Sequence, residues 1–151
     1  MELLKRVAES QKDAMRARDA ARLSTVRMIL AAVKDREIAL RTTGTALSEA
    51  EVLALLGKMV KQRQESARVY QEGGRAELAE KELAEIRVIE EFLPRAMSPS
   101  EVEAAIGAAI AEVGAASVKD MGKVMAALKT RYAGQMDFAA AGAQVKARLA
   151  G

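Results

Sequence analysis

Glutamates crowd one stretch of the chain at a density that could hold metal ions. They are Glu77, Glu80, Glu82, Glu85, Glu90 and Glu91. Facing glutamate pairs hold di-metal centres in helical bundles, but such centres normally add histidine, and this chain has none. The pattern therefore favours a solvated acidic helix face, and we predict no metal ligand and no cofactor.

The chain also lacks the side chains of the common nucleophilic mechanisms. Without cysteine or histidine, neither a thiolate nucleophile nor an imidazole base can be assembled. We therefore predict no catalytic residue in the isolated chain. The absence of cysteine also excludes disulfides, which fits a reducing compartment, and we predict a cytoplasmic protein.

Membrane association is not expected. Residues 1–7 alternate charged and apolar side chains, unlike a signal peptide. No apolar run approaches the roughly 20 residues that a membrane span needs.

Cations capable of binding phosphate occur in two groups before residue 70. The groups are Arg16, Arg18, Arg22 and Arg27, and then Lys58, Lys61, Arg63 and Arg68. Both alternate with acidic residues, so we interpret them as ordinary solvated helix faces.

A later segment, residues 118–129, is more distinctive. Lys119 and Lys123 are four residues apart and should project together from a helix. Gly122 lies inside the predicted helix, where it costs about 1 kcal/mol relative to alanine. Such a glycine indicates the close approach of another helix, the interpretation that we favour, or of a ligand. We interpret Met121 and Met125 as core residues.

Strong helix formers dominate the composition, and the period-two alternation of strands is absent, so we predict an all-α, multihelical fold. Both prolines, Pro94 and Pro99, lie close together and interrupt the helical pattern. They divide the chain into a four-helix subdomain, residues 1–93, and a three-helix subdomain, residues 94–151. Lysine and arginine exceed the acids in residues 1–47 and 94–151 but not in between.

Helix limits follow from the apolar periodicity and from capping residues. We predict helices at about 2–18, 20–40, 48–70 and 76–92 in the first subdomain. Ser48 with Glu51, and Ser98 with Glu101, have the spacing of capping boxes. In the second subdomain Ser117 and Asp137 are predicted to cap the last two helices.

Five stretches, spread along essentially the whole chain, follow the order in which they occur in one known protein family. They are residues 17–28, 61–66, 74–75 with 78–82, 89–94 and 119–125. Together they resemble the stand-alone YqeY-like proteins of the GatB/YqeY family. The resemblance implies two helical subdomains and kinship with the tail of the B subunit of tRNA-dependent amidotransferases. That tail looks like a tRNA-binding appendage, and a similar module is appended to some glutaminyl-tRNA synthetases.

The resemblance implies a tRNA-binding accessory protein whose RNA contacts lie on the second subdomain. The candidate RNA-binding residues are Lys119, Gly122, Lys123, Lys129 and Arg131. Where the family usually has Gly-Arg-Ala-Asp, this chain has Gly134-Gln135-Met136-Asp137. A cation is therefore replaced by Gln135, and Arg131 is the nearby substitute.

Two alternatives remain open at this point. The chain could be a protein-interaction module that docks on an aminoacyl-tRNA synthetase or an amidotransferase, through Met121 and Met125 or between the subdomains. By family association alone, it could take part in carbon–nitrogen ligase activity with glutamine as the amido-nitrogen donor. No nucleophile–base pair or nucleotide site supports that activity in the isolated chain.

Overall fold

The computed structural model describes all 151 residues, and every regular element in it is helical. The helices are α1 (Glu2–Ala17), α2 (Ala20–Arg41), α3 (Glu49–Glu72), α4 (Ala76–Glu90), α5 (Pro99–Val113), α6 (Met121–Arg131) and α7 (Phe138–Ala150). A 3₁₀ turn, Val118–Asp120, leads directly into α6. The prediction of an all-α fold with four helices followed by three is confirmed. The chain forms two compact units, Met1–Pro94 (unit 1) and Arg95–Gly151 (unit 2).

The core of unit 1 is built from one apolar face of each of its four helices. Ile29 of α2, Leu56 of α3 and Ile89 of α4 are completely buried. Burial of one such side chain stabilises the fold by about 1.5–3 kcal/mol relative to exposure. The surrounding core residues are Leu3, Val7, Val26, Val33, Val52, Met59, Val60, Ile86 and Phe92.

A partly buried ion pair joins α3 to α4 beside this core. Arg63 Nε donates to Glu85 Oε2 at 2.9 Å, and the two side chains are only 14% and 15% exposed. Arg63 also donates to the Met59 carbonyl and approaches Met28 Sδ at 3.6 Å. The sequence interpretation of Arg63 and Glu85 as solvated surface charges is therefore wrong. Their spacing of 22 residues gives no local signal of the pairing.

Unit 2 has a smaller core in which short side chains let three helices approach. Ile106, Val124, Leu128 and Val145 are completely buried. Between them lie the buried alanines Ala105, Ala109 and Ala141. A backbone bond from Met97 N–H to the Gln135 carbonyl (2.9 Å) ties the start of the unit to the turn before α7.

Several predicted helix limits shift by a few residues. Helix α1 ends at Ala17, because Arg18 takes the left-handed conformation with φ 55°. Helix α3 continues two residues past the predicted Tyr70, and α4 ends at Glu90 rather than at Phe92. The shifts are of the size expected for limits inferred from periodicity, since terminal turns depend on local hydrogen bonding.

Ser48, Ser98 and Asp137 accept N–H groups at the helix starts that they are predicted to cap. Ser117 instead caps the 3₁₀ turn, and α6 begins after Asp120 without a side-chain cap, so the prediction for Ser117 is wrong in its helix. Ser98 and Glu101 form a complete capping box, as do Ser117 and Asp120 at the 3₁₀ turn. Ser48 accepts from the Glu51 N–H, yet the Glu51 carboxylate binds Arg36 of α2 at 3.1 Å instead of reaching back. Here a tertiary ion pair replaces the second half of the local motif.

Candidate nucleic-acid interface

The 3₁₀ turn before α6 carries Lys119, the first of the candidate RNA-binding lysines. Asp120 Oδ2 accepts the N–H groups of Ala116 (2.9 Å) and Ser117 (3.3 Å). These two backbone hydrogen bonds, with a smaller attraction from Lys123, hold the pKa of Asp120 below its usual value. The carboxylate is thus committed to the turn that carries Lys119 and starts α6.

Helix α6 buries Val124 and Leu128 and turns the opposite face to solvent. The exposed residues of that face are Gly122, Lys123, Ala126, Lys129 and Thr130. At 100° per residue, Lys123 and Lys129 flank the face on either side. The strip between them carries only small side chains, and no carboxylate lies on it.

Gly122 does not serve the purpose that the sequence suggested first. A Cβ atom added at this position would meet nothing within 4 Å. The favoured interpretation, close packing against another helix, is therefore wrong within this chain. The close helix approach lies instead at Gly142 of α7, where an added Cβ would stand 3.5 Å from Met121 Cε.

Met121 and Met125 belong to the packing of unit 2. Both side chains are half-buried against its core. A Cβ atom added at Gly142 would lie 3.5 Å from Met121 Cε and 3.8 Å from Met125 Cε, so both methyl groups pack close to this glycine. Their interpretation as core residues is confirmed. A partner docking through these two side chains would have to displace intramolecular contacts.

All three arginines of unit 2 are occupied by carboxylates. Arg95 pairs with Glu101 at 2.9 Å, and Arg148 lies 3.6 Å from Glu103. Arg131 donates to Glu112 of α5, and this hydrogen bond raises the pKa of Arg131. Arg131 is the predicted substitute for the cation that Gln135 replaces. Its positive charge is therefore largely compensated by Glu112.

The lysines of unit 2 form no such ion pairs. Lys119, Lys123, Lys129 and Lys146 are exposed, and none of their ammonium groups makes a hydrogen bond or ion pair. The remaining acids, Asp120 and Asp137, cap helix starts. Sequence reasoning missed this division between paired arginines and unpaired lysines. Arg131 and Glu112 are 19 residues apart, so helical spacing carries no signal of their pairing.

The described residues give no support for a metal site or a membrane-spanning helix. No three carboxylates come close enough together to hold a metal ion. None of the helices combines the length and the apolar character that crossing a membrane requires.

Comparison with known proteins then decides the family. The family model described as Yqey-like protein matches residues 4–149. The chain belongs to the YqeY-like family. The family resemblance inferred from the five sequence stretches is thus confirmed.

Among curated proteins, this YqeY-like chain is similar to fungal proteins named Altered inheritance of mitochondria protein 41, mitochondrial. It is 40% identical to that of Clavispora lusitaniae over 91 residues, which cover 60% of this chain and 51% of the relative. For Lachancea thermotolerans the identity is 34% over 100 residues (64% and 52%), and for Saccharomyces cerevisiae strain YJM789 it is 29% over 92 residues (61% and 49%). The chain spans about half the length of these relatives.

The names of these relatives contradict the predicted cytoplasmic location, since they designate mitochondrial proteins. The prediction was wrong because its physical basis was too weak. A chain without cysteine cannot form disulfides, but that property does not distinguish one compartment from another.

Proposed function

We propose that this YqeY-like protein is a tRNA-binding accessory protein, and that the exposed face of α6 with the preceding turn contacts the RNA backbone. The observation that carries the proposal is the set of three unpaired lysines, Lys119, Lys123 and Lys129. Asp120 attracts Lys123 only weakly, and none of the three ammonium groups forms an ion pair, so they can neutralise phosphates without first breaking one. The family relation to tRNA-dependent enzymes, inferred from sequence resemblance, makes tRNA the favoured RNA.

The small side chains between the lysines support contact with a sugar–phosphate backbone. Gly122 and Ala126 present little bulk, and Gly122 has open space above it. A phosphate ridge could therefore approach the helix closely between Lys123 and Lys129. Only two tyrosines and two phenylalanines are present in the chain. Recognition by RNA shape and charge is therefore favoured over stacking on unpaired bases.

Three lysine–phosphate contacts set the expected salt dependence. If the coefficient for duplex DNA is applied, the logarithm of the binding constant should fall with the logarithm of salt concentration at a slope of about −2.7. Arg131 does not add a fourth contact in this proposal, because Glu112 already binds it.

Electrophoretic binding of total tRNA, ribosomal RNA fragments and DNA at low salt tests the proposal. We expect tRNA to bind most tightly. Lys123→Glu should weaken binding several-fold, and neutralising one lysine should reduce the salt slope by about 0.9. Lys12→Glu on α1 is the matched control, because Lys12 is exposed and has no ion-pair partner. Arg131→Gln should leave the affinity nearly unchanged.

Two results would contradict the proposal: absence of tRNA binding at low salt, or binding that Lys123→Glu does not change. Isolation of partners from lysate with and without RNase adds a separate check. Partners that survive RNase, together with failed tRNA binding, would point to the protein-docking role instead.

Ligase chemistry is not part of the proposed role of the isolated chain. Purified protein supplied with mischarged tRNA, glutamine and ATP is expected to yield no amidated product. Turnover that tracks with the purified chain would overturn this expectation.

A further inference from the structure

The side of α2 that faces away from the core of unit 1 carries an apolar groove. The core side holds Val26, Ile29 and Val33. On the opposite side lies an open groove of about 440 Å³, lined by Ala20, Leu23, Ser24, Arg27, Met28 and Ala31. Farther along the same side, Ile38 is 47% exposed. A surface helix normally turns mostly charged residues outward, whereas five of the six residues that line this groove are apolar or small.

Two charges without partners lie symmetrically on this outward side. Arg27 and Asp35 are exposed, and neither makes a hydrogen bond or ion pair. Arg27 lies four residues before the exposed Ala31 and Asp35 lies four residues after it. Steps of four residues advance about 6 Å along a helix and turn only about 40°. The three residues therefore form one row, with opposite charges at equal distances from a small central residue.

We propose that the outward side of α2 binds a second copy of this chain, with the two α2 helices antiparallel and Ala31 at the two-fold axis. In this arrangement Arg27 stands opposite the partner's Asp35, and Asp35 stands opposite the partner's Arg27. Ile38 and Ser24 are also equally far from Ala31. The exposed Ile38 therefore enters the partner's groove at Ser24. An isologous contact requires this reciprocity.

The shape and charge of the surface favour a second copy over other partners. Alanine and serine at Ala20, Ser24 and Ala31 permit the 8–10 Å interaxial distance of packed helices. A nucleic acid would find apolar Leu23 and Met28 and would be repelled by Asp35. An acidic protein segment could pair with Arg27 but would leave Asp35 facing like charge.

A charge-exchange experiment tests the dimer with the full chain. Sedimentation velocity and light scattering should give a concentration-dependent species of twice the 16.2 kDa chain mass. Arg27→Asp and Asp35→Arg should each weaken self-association at least about tenfold, because each turns two attractive pairs into two repulsive pairs. An equimolar mixture of the two variants should associate again, since both pairs of the mixed dimer are complementary.

Controls separate the interface from general charge and folding effects. Lys58→Glu and Glu77→Arg reverse exposed charges on α3 and α4 and should leave self-association unchanged. Ile38→Lys should weaken it through the groove contact. Circular dichroism and thermal unfolding check that each variant is folded.

Three outcomes would overturn the proposal. A wild-type chain that stays monomeric up to about 1 mM, where even an association of about −4 kcal/mol would be visible, excludes the dimer. Undiminished self-association of folded Arg27→Asp and Asp35→Arg places any dimer elsewhere. Failure of the mixed variants to associate removes the antiparallel register.

Discussion

Arg22 and Glu91 form a two-point ion pair between residues 69 positions apart. Arg22 Nη1 and Nη2 donate to the two Glu91 carboxylate oxygens at 2.6 and 3.0 Å. Arg22 also donates to the Ser10 hydroxyl, and Arg6 donates to the Glu91 carbonyl. The hydrogen bond that Arg22 donates to Glu91 raises the pKa of Arg22. Charged side chains of α1 and α2 thus hold the residue that follows α4, immediately before the Leu93-Pro94 break.

Replacing Arg22 by alanine should destabilise unit 1 by about 1 kcal/mol, as measured by urea unfolding. The estimate is small because Arg22 and Glu91 are 29% and 51% exposed and solvent screens the pair. Arg22→Lys should recover only part of the loss, since an ammonium group cannot bind both oxygens in parallel. Equal stability of the alanine and wild-type proteins would contradict the structural role of the pair.

Removing one partner of the partly buried pair between α3 and α4 should cost more. Glu85→Gln leaves the Arg63 charge without its carboxylate and is expected to destabilise the protein by about 2–3 kcal/mol. The double variant Arg63→Met, Glu85→Leu should recover much of this loss, because neither residue then buries a charge. If the double variant loses as much stability in chemical denaturation as the two corresponding single variants together, the two side chains are not directly coupled.

Arg18 holds a left-handed conformation that glycine adopts without steric cost. Arg18→Gly should therefore stabilise the protein by about 0.5–1 kcal/mol in thermal or urea unfolding. Arg18→Ala is the matched control and should bring no comparable gain, because it keeps the Cβ atom. A destabilised glycine variant would indicate that the arginine side chain contributes contacts beyond those seen here.

Gly122 allows folding and RNA binding to be separated. Gly122→Ala should stabilise unit 2 by up to about 0.5 kcal/mol, since open space receives the methyl group and alanine is the better helix former. The gain is below the helix-interior value because Gly122 lies in the first turn of α6. Gly122→Leu should also fold, but its bulk should lower tRNA affinity if the RNA backbone crosses α6 there. Thermal unfolding and tRNA titration of the same samples check both expectations, and unchanged affinity of the leucine variant would exclude Gly122 from the RNA face.

Acid should weaken unit 2 through the Glu101 carboxylate. Its pKa is about 2, because the Ser98 N–H and then Arg95 bind the charged form. Since the folded pKa lies below the unfolded value, this contribution is complete above about pH 4.5 and disappears as pH falls toward 2. Thermal unfolding across this range should show a smaller decline in Glu101→Gln than in the wild type. Glu49→Gln, at an exposed residue without an ion pair, should behave like the wild type.

The helical content and most of the helix starts could be predicted from local sequence. Apolar residues at steps of three and four define buried faces, and serine or aspartate at a helix start accepts free N–H groups whatever the tertiary context. Ser98 with Glu101, and Asp137, therefore behave as local spacing predicts. Arg18 shows where local prediction fails. Helix propensity alone allows α1 to include it, but Arg18 takes the left-handed conformation and the helix ends at Ala17.

Pairings between distant charges were decided only by the tertiary structure. Arg63 and Arg131 look alike in sequence as cations on helices, yet one is partly buried against Glu85 and the other is bound by Glu112. Their partners lie on other helices, so no helical spacing encodes them. For the candidate site, sequence supplied lysines at suitable positions, while packing determined which cations keep an unpaired charge. The open space above Gly122 likewise depends on where α7 and α5 pack, which no local rule specifies.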